Sequence, residues 1–258
     1  MKGRQWAALA MLLCGAGLLF GGVAEKPKVI EYKAKVDQVL HHDPSAYTQG
    51  LFFYGGVLYE STGQYGESSL RQVDLSSGRV LKHISLDRQF FGEGACELNG
   101  LIYQLTWMEH VCFVYDAASL TLVGQLYVPT EGWGLTTNGE DLILSDGSSN
   151  LYFLDPTTFQ ERRRVVVTRS GKALPYLNEL EYIDGKVWAN VYGTNYLVII
   201  DPKDGQIQAT VDCRNILPAR YTEEVDVLNG IAYDPKVKAV YITGKLWPQL
   251  YRIALIEK

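Results

Sequence analysis

The chain has 258 residues, of which 47% are hydrophobic and 25 are glycine, and its formal net charge at pH 7 is −5. This composition is that of one globular domain with ample material for a core, and it argues against a disordered chain. The charge is mildly negative, and the one basic run, from Arg162 to Arg164, falls in an expected strand, so we expect no nucleic-acid partner.

The first 24 residues have the layout of a secretory signal peptide. Lys2 and Arg4 precede an apolar run from Trp6 to Phe20, and small residues follow up to Ala24. We expect cleavage after Ala24, which leaves a single catalytic domain over residues 25–258, periplasmic or secreted and without a membrane partner. A retained membrane anchor is the alternative, because the apolar run is close to the length that spans a bilayer.

The rest of the chain repeats one phrase of short strands five times. Each phrase has a small turn, a strand, a tight polar turn, a second strand ending in polar residues, and a third strand running into Asp. The residues that open the phrases are 44, 40, 45 and 51 positions apart: Gln49, Glu93, Trp133, Asn178 and Asn229. Such a period is typical of four-stranded sheets stacked around an axis, because one sheet alone cannot bury both faces. The sequence therefore predicts an all-β, five-bladed β-propeller.

The two ends of the chain are expected to close this ring together. After the fifth phrase, only enough chain remains for a third strand from Leu250 to Leu255, so the last blade lacks its outer strand. The segment from Lys28 to Leu40 precedes the first blade and has strand character. We predict that this N-terminal strand completes the last blade as a clasp and covers a sheet edge.

Three cysteines remain after cleavage, Cys96, Cys112 and Cys213, an odd number for an exported protein. The second strand of a blade should separate Cys96 from Cys112, so we expect buried free thiols. No cysteine pair has metal-ligand spacing, and the histidines form no pattern with carboxylates at the expected mouth. No cofactor is expected to be required; a structural calcium held by backbone carbonyls in the channel would leave no trace in the sequence and stays open.

The opening residues of the phrases should face one another, because the first strands of propeller blades line a central channel. A second set of residues follows the second strands: Trp107, Tyr192 and Lys245, with Gly63 and Gly147 in the corresponding places. Together the two sets contain one acid, one lysine, carboxamides and aromatic rings, which suits a small, partly apolar pocket. Each tryptophan can instead be core, and Lys245 can be a surface residue that caps a turn.

In these residues and in the motifs around them, the chain resembles the glutamine cyclotransferase family, the plant and bacterial type of glutaminyl-peptide cyclotransferase. The resemblance runs from about His42 to the last residues, and its motifs are HDPSAYTQGL, ESTGQYGESSLRQV, FGEG, GWGL, SDGSSNLYFLDP, LNELEYIDGKVWANV, VDVLNGIAYD and TGKLWPQLY. It implies a five-bladed propeller that converts the N-terminal glutamine of peptides or proteins into pyroglutamate and releases ammonia. We expect such an enzyme to act as a monomer.

Carried over position by position, the resemblance implies a role for each site residue. Glu93 in FGEG becomes the acid/base residue, Gln49 and Lys245 its catalytic partners, and the substrate-binding residues are Asn178, Trp107, Trp133 and Tyr192. The plant members have a tryptophan where Tyr192 stands. A tyrosine still offers a flat apolar face, so this departure concerns pocket size or substrate preference more than activity.

These groups suit an intramolecular aminolysis. A carboxylate in a partly apolar site has a raised pKa and can take a proton from the attacking amine and return it to the leaving nitrogen. Gln49, Asn178 or Lys245 can donate to the developing oxyanion. Lys245 can instead hold Glu93 ionised, and the sequence does not divide these roles.

Two other functions stay open. A non-catalytic propeller would bind a peptide or partner protein at the same mouth, since fold alone does not decide function. A hydrolase of the lactonase type would need several channel carboxylates around calcium. The opening set contains one acid, Glu93, although Glu179, Glu181 and Asp226 are close in sequence to other opening residues.

Overall fold

The structure is a computed structural model that describes residues 28–258. The expected signal peptide, residues 1–24, lies outside the described residues. Within the described range the chain is built of strands and one short 3-10 helix, Ala219–Tyr221, which confirms the all-β prediction. No helix of this range is long and apolar enough to cross a membrane.

Most of the strands follow one another with short connections. In chain order they are β1 (Ile30–His41), β2 (Thr48–Tyr54), β3 (Val57–Thr62), β4 (Ser69–Val73), β5 (Val80–Ser85), β6 (Gly92–Leu98), β7 (Leu101–Thr106), β8 (Val111–Asp116), β9 (Leu122–Tyr127), β10 (Leu135–Thr137), β11 (Leu142–Leu144), β12 (Asn150–Leu154), β13 (Glu161–Val166), β14 (Thr168–Arg169), β15 (Lys172–Ala173), β16 (Leu177–Ile183), β17 (Lys186–Val191), β18 (Tyr196–Ile200), β19 (Ile207–Asp212), β20 (Leu228–Asp234), β21 (Ala239–Gly244) and β22 (Gln249–Glu257).

Most strands belong to antiparallel four-stranded units. The first three units are separate sheets, β2 to β5, β6 to β9 and β10 to β13. The fourth unit, β16 to β19, and the fifth, β20, β21, β22 and β1, are joined in one eight-stranded sheet. Strands β14 and β15 form a small separate hairpin.

Strand β1 joins the two ends of the chain. It pairs antiparallel with β22, from Tyr32 opposite Glu257 to His41 opposite Gln249, which is the clasp pairing predicted for the segment from Lys28 to Leu40. It also pairs parallel with β19 through residues 30–33, which the sequence did not predict. One strand therefore covers the edges of both the fourth and the fifth unit.

The first strands of the five units, here called the inner strands, form a closed ring. Strand β2 contacts β6, β6 contacts β10, β10 contacts β16, β16 contacts β20, and β20 contacts β2. Glycine permits this close approach, because a Cβ atom at Gly94 would lie 2.7 Å from backbone atoms of Gly134. The ring brings the beginnings of five distant segments together.

The apolar core lies between neighbouring units. One cluster combines Leu98 of the second unit with Leu135 and Leu154 of the third, and another combines Leu51 of the first with Tyr241 of the fifth. Corresponding clusters fill the other junctions. Each unit thus buries its faces only against its neighbours, as a repeat architecture requires. The three described cysteines are buried and free, as expected.

Candidate active site

Four of the inner strands carry a polar side chain at an irregularity near their beginning. Strands β2, β6, β16 and β20 each have one extra residue relative to the second strand of the unit, where Gln49, Glu93, Asn178 and Asn229 lie. An extra residue of this kind bends the strand and redirects a side chain, and such irregularities are frequent beside active sites. The repeated phrase therefore places one polar group per irregularity around the ring.

A cavity of about 340 Å³ opens at this end of the ring. Its wall includes all seven residues predicted for the site: Gln49, Glu93, Trp107, Trp133, Asn178, Tyr192 and Lys245. Tyr47, Gln64 and Phe91 also line it and were not predicted. Tyr47 and Phe91 stand two positions before Gln49 and Glu93, so the two-residue period of a strand contained the signal that identifies them.

Glu93 is buried, with 5% of its surface exposed, and its Oε1 accepts a hydrogen bond of 2.9 Å from Gln49 Nε2. The preceding residue, Gly92, has no room for a side chain, since a Cβ atom there would overlap the Thr62 carbonyl oxygen. Burial raises the pKa of the Glu93 carboxyl well above its ordinary value, the Lys245 ammonium opposes that rise, and the carboxylates of Glu109 and Glu131 add to it. The site thus contains a carboxyl that is poised to hold a proton at higher pH than usual.

Lys245 is the cation of the cavity wall and is 3% exposed. Its Nζ lies 4.7 Å from the ring centre of Tyr47 and 5.3 Å from that of Tyr192. Burial lowers the pKa of the Lys245 ammonium, while Glu93 and Asp226 act in the opposite direction. This placement fits a residue of the site and does not fit the alternative of a surface lysine that caps a turn.

Gln49 is held in one orientation by a short chain of hydrogen bonds. Asn229, which is fully buried, donates from Nδ2 to Gln49 Oε1 at 3.2 Å and to the Thr48 carbonyl oxygen at 3.0 Å. The amide nitrogen of Gln49 then faces Glu93. Asn229 itself does not line the cavity; it supports Gln49, which does.

Aromatic rings form most of the remaining wall. Phe91 packs edge to face on Trp107 with 5.6 Å between ring centres, and Trp133 packs in the same way on Tyr192 at 5.7 Å. Gly63 and Gly147 lie against these rings, and a Cβ atom there would overlap Phe91 and Trp133, respectively. The two glycines of the second predicted set are thus explained by the space that the neighbouring rings occupy.

The sequence placed one acid, Glu93, in the opening set, but the structure buries further acids inside the ring. Glu179 and Glu181 are also buried on β16. Glu179 accepts backbone N–H groups of Leu51 at 3.2 Å and Ile231 at 2.8 Å, and Glu181 accepts that of Tyr233 at 2.9 Å. Burial raises the pKa of the Glu181 carboxyl to about 8. Neither lines the cavity; both link inner strands of different units.

Asp226, the remaining acid noted from the sequence, does not line the cavity, but its Oδ2 accepts a hydrogen bond of 3.0 Å from the hydroxyl of Tyr47, which does. Over residues 28–258, no group of three or more His, Cys, Asp or Glu side chains is arranged to hold a metal ion.

Comparison with known proteins gives a consistent result. The family model described as Glutamine cyclotransferase matches residues 9–255. A glutaminyl-peptide cyclotransferase from Arabidopsis thaliana is 42% identical over 220 residues, which is 83% of this chain and 68% of that protein. The crystal structure of Myxococcus xanthus glutaminyl cyclase superposes with a TM-score of 0.84 and 31% identity, covering 90% of this chain and 100% of that one.

Proposed function

The chain belongs to the glutamine cyclotransferase family and is an enzyme of the glutaminyl-peptide cyclotransferase type, and from this premise we propose its reaction and mechanism. It converts the N-terminal glutamine of peptides and proteins into pyroglutamate and releases ammonia. The observation that best supports this proposal is the buried Glu93 carboxyl, which shares one cavity with Lys245, three carboxamide residues and aromatic walls.

The five units are proposed to be the blades of a β-propeller. The closed ring of inner-strand contacts supports this architecture, as do apolar clusters at each junction between neighbouring units. The proposal matters for function because it makes the cavity the mouth of a central channel. Residues from all parts of the chain then converge on one substrate.

In the proposed reaction, the substrate's α-amine attacks the γ-carboxamide carbon of the same residue. A C–N bond closes the five-membered ring, the bond to the carboxamide nitrogen breaks, and that nitrogen leaves as ammonia. Both reacting groups belong to the same glutamine residue, so the enzyme mainly has to hold them in a folded, near-attack arrangement. The aromatic walls favour this compact shape and exclude water that would compete for the carbonyl carbon.

Glu93 is proposed to carry the proton. As a carboxylate it accepts a proton from the attacking amine, and as a carboxylic acid it returns that proton to the leaving nitrogen. The raised pKa of this carboxyl supports both roles, because general acid-base catalysis is most effective when the pKa lies near the working pH. No covalent intermediate is needed.

The neighbouring polar groups are assigned by their contacts. Gln49 is proposed to orient Glu93, because its amide nitrogen is bonded to that carboxylate and its amide oxygen to Asn229. Asn178 is proposed to bind substrate, since its Oδ1 is buried without a hydrogen-bond partner among the described residues and the residue lines the cavity. The Lys245 ammonium is proposed to stabilise the oxyanion that forms on the carboxamide oxygen.

Other properties follow from the sequence expectations. Residues 25–258 are proposed to form the single catalytic domain after removal of residues 1–24, and this domain is proposed to act as an exported monomer without a required cofactor.

The direct test of the proposed reaction is ammonia release from a Gln-Ala peptide, with and without a chelator. We expect the ammonia released to equal the amount of peptide that has lost the mass of one ammonia in mass spectrometry. The chelator should not change either quantity. Binding without release would instead indicate a peptide-binding module, and loss of activity on chelation would contradict the metal-independent mechanism.

A further inference from the structure

Glu131 occupies a position that is aromatic in three of the other four units and is Val227 in the fifth. It stands two residues before Trp133, the opening residue of the third unit. The corresponding residues of the first, second and fourth units are Tyr47, Phe91 and Tyr176. In the third unit a carboxylate therefore replaces a ring beside the cavity mouth.

This carboxylate connects the two tryptophans of the cavity wall. Glu131 Oε2 accepts hydrogen bonds from Trp107 Nε1 at 2.8 Å and from Trp133 Nε1 at 3.0 Å. Trp107 follows β7 of the second unit, whereas Trp133 precedes β10 of the third. One oxygen atom thus sets the spacing of two walls that come from different units.

The other oxygen of the same carboxylate is uncommitted. Glu131 is exposed, and its Oε1 makes no hydrogen bond with the residues that the structure describes. When the N-terminal glutamine of a peptide occupies the cavity, the rest of the peptide must extend out through the mouth. The second residue therefore lies beside this rim. The Glu131 charge is then among the first that the second side chain meets.

Two other carboxylates brace aromatic residues around the same mouth. Glu109 accepts the Tyr65 hydroxyl at 2.8 Å, and Asp226 accepts the Tyr47 hydroxyl at 3.0 Å. The charges of Glu109 and Glu131 both raise the pKa of Glu93, which places their electrostatic influence inside the cavity. The rim therefore carries a negative field that favours an incoming cation.

We propose that Glu131 is a positioning and specificity-determining residue: Oε2 holds the two tryptophan walls, and Oε1 favours substrates whose residue after glutamine is cationic over those in which it is anionic. The inference rests on the proposed cyclisation and adds to it a substrate class. An exposed charge exerts a modest effect, so we expect a preference of about two- to fivefold at low salt, declining as ionic strength rises.

Two substitutions separate the two roles. In Glu131→Gln, the amide oxygen can still accept both indole N–H groups, but the charge is gone. In Glu131→Ala, both the acceptor and the charge are lost. Glu140→Gln is the matched control, because Glu140 is exposed in the turn between β10 and β11, at the opposite end of the same inner strand.

The experiment uses three peptides that differ only at the second residue: Gln-Lys, Gln-Ala and Gln-Glu with identical continuations. Turnover is measured by ammonia release, and binding is measured independently by quenching of tryptophan fluorescence. We expect the wild type and Glu140→Gln to prefer Gln-Lys to Gln-Glu in both measurements. Glu131→Gln should lose that preference.

The positioning role has its own signature. Glu131→Ala should raise KM for the uncharged Gln-Ala peptide by about tenfold and alter the tryptophan emission or near-ultraviolet circular dichroism, and Glu131→Gln should recover most of both changes. Equal binding of the three peptides by the wild type, together with unaltered tryptophan spectra and KM in Glu131→Ala, would overturn the inference. If no peptide were cyclised, the proposed function would fail, and the binding and spectral measurements would still decide the role of Glu131.

Discussion

Gln49 Nε2 donates a hydrogen bond of 2.9 Å to Glu93 Oε1 across the junction between the first and second units. The two residues are 44 positions apart and occupy the same place in successive repeats. The repeat thus brings an amide and a carboxyl from equivalent positions together, where their differing chemistry makes a site. The repeats differ in residue type at this equivalent position. This difference distinguishes the cavity mouth from a purely structural junction between units.

Lys245→Met should raise the pKa of Glu93 further. Removing a nearby positive charge disfavours the carboxylate, and Lys245 is the group that opposes the effect of burial. Infrared titration of the substrate-free protein can follow the Glu93 carboxyl band, which the Glu93→Gln variant identifies. The midpoint in the wild type should lie above 4.5, the ordinary value, and it should be higher in Lys245→Met.

Lys236→Met is the control for this titration, because Lys236 is exposed in the turn between β20 and β21, away from the cavity wall. It should leave the midpoint unchanged. A midpoint in Lys245→Met equal to or lower than that of the wild type would show that Lys245 does not act on the Glu93 charge.

Trp107→Ala should chiefly weaken substrate binding. The indole is partly exposed, lines the cavity and packs against Phe91, so its removal opens the wall without emptying a buried core. We expect KM to rise by about tenfold or more, because a large aromatic contact surface with the substrate is lost. Trp107→Phe keeps a ring and should show a smaller rise. Unchanged kinetics combined with a lower melting temperature would assign Trp107 to the core instead.

A buried ion network next to the clasp predicts how stability depends on pH. His42 Nε2 lies 2.8 Å from Glu60 Oε1, and Arg71 Nε donates to Glu60 Oε2 at 2.9 Å. Burial opposes ionisation of Glu60, but the charges of His42 and Arg71 lower the pKa of Glu60 to about 2. Burial likewise opposes ionisation of His42, yet Glu60 raises the pKa of His42 above its ordinary 6.5.

The two shifts act at opposite ends of the pH range. The Glu60 contribution to the free energy of unfolding is present above pH 4.5 and is lost as the pH falls towards 2. The His42 contribution is present below pH 6.5 and is lost as the pH rises through the raised pKa. Denaturant titrations should therefore show that Glu60 and His42 contribute most to the free energy of unfolding between pH 4.5 and pH 6.5.

Glu60→Gln should remove most of this dependence and destabilise the protein by about 3–5 kcal/mol, because it leaves buried charges uncompensated. Unfolding of the wild type and the variant at several pH values measures both effects. The same pH dependence in the two proteins would contradict the assignment to this network.

Much of the site could be predicted because the signal is local and repeated. Gln49, Glu93 and Asn178 open their phrases, and the redirected strand starts aim them at one cavity. Tyr47 and Phe91 were within reach of the same reasoning, since they precede two of these residues by one strand period.

Other features depend on distances between units, which sequence spacing does not encode. Gln64 reaches the cavity from the loop after β3 with a φ of 95°, a conformation that no residue pattern indicated. Glu131 is recognised only once Trp107 and Trp133 are seen to donate to one oxygen. The parallel pairing of β1 with β19 follows from ring closure, which places two strand edges side by side.

The most direct test of the central claim compares Glu93→Gln with the wild type on a Gln-Ala peptide. Glu97→Gln is the control, because Glu97 lies on the same strand but does not line the cavity. We expect Glu93→Gln to remain folded and to lose turnover by about 10²–10⁴-fold, the range that general acid-base catalysis contributes, whereas Glu97→Gln retains it. Ammonia release by a folded Glu93→Gln protein at close to the wild-type rate would contradict the account.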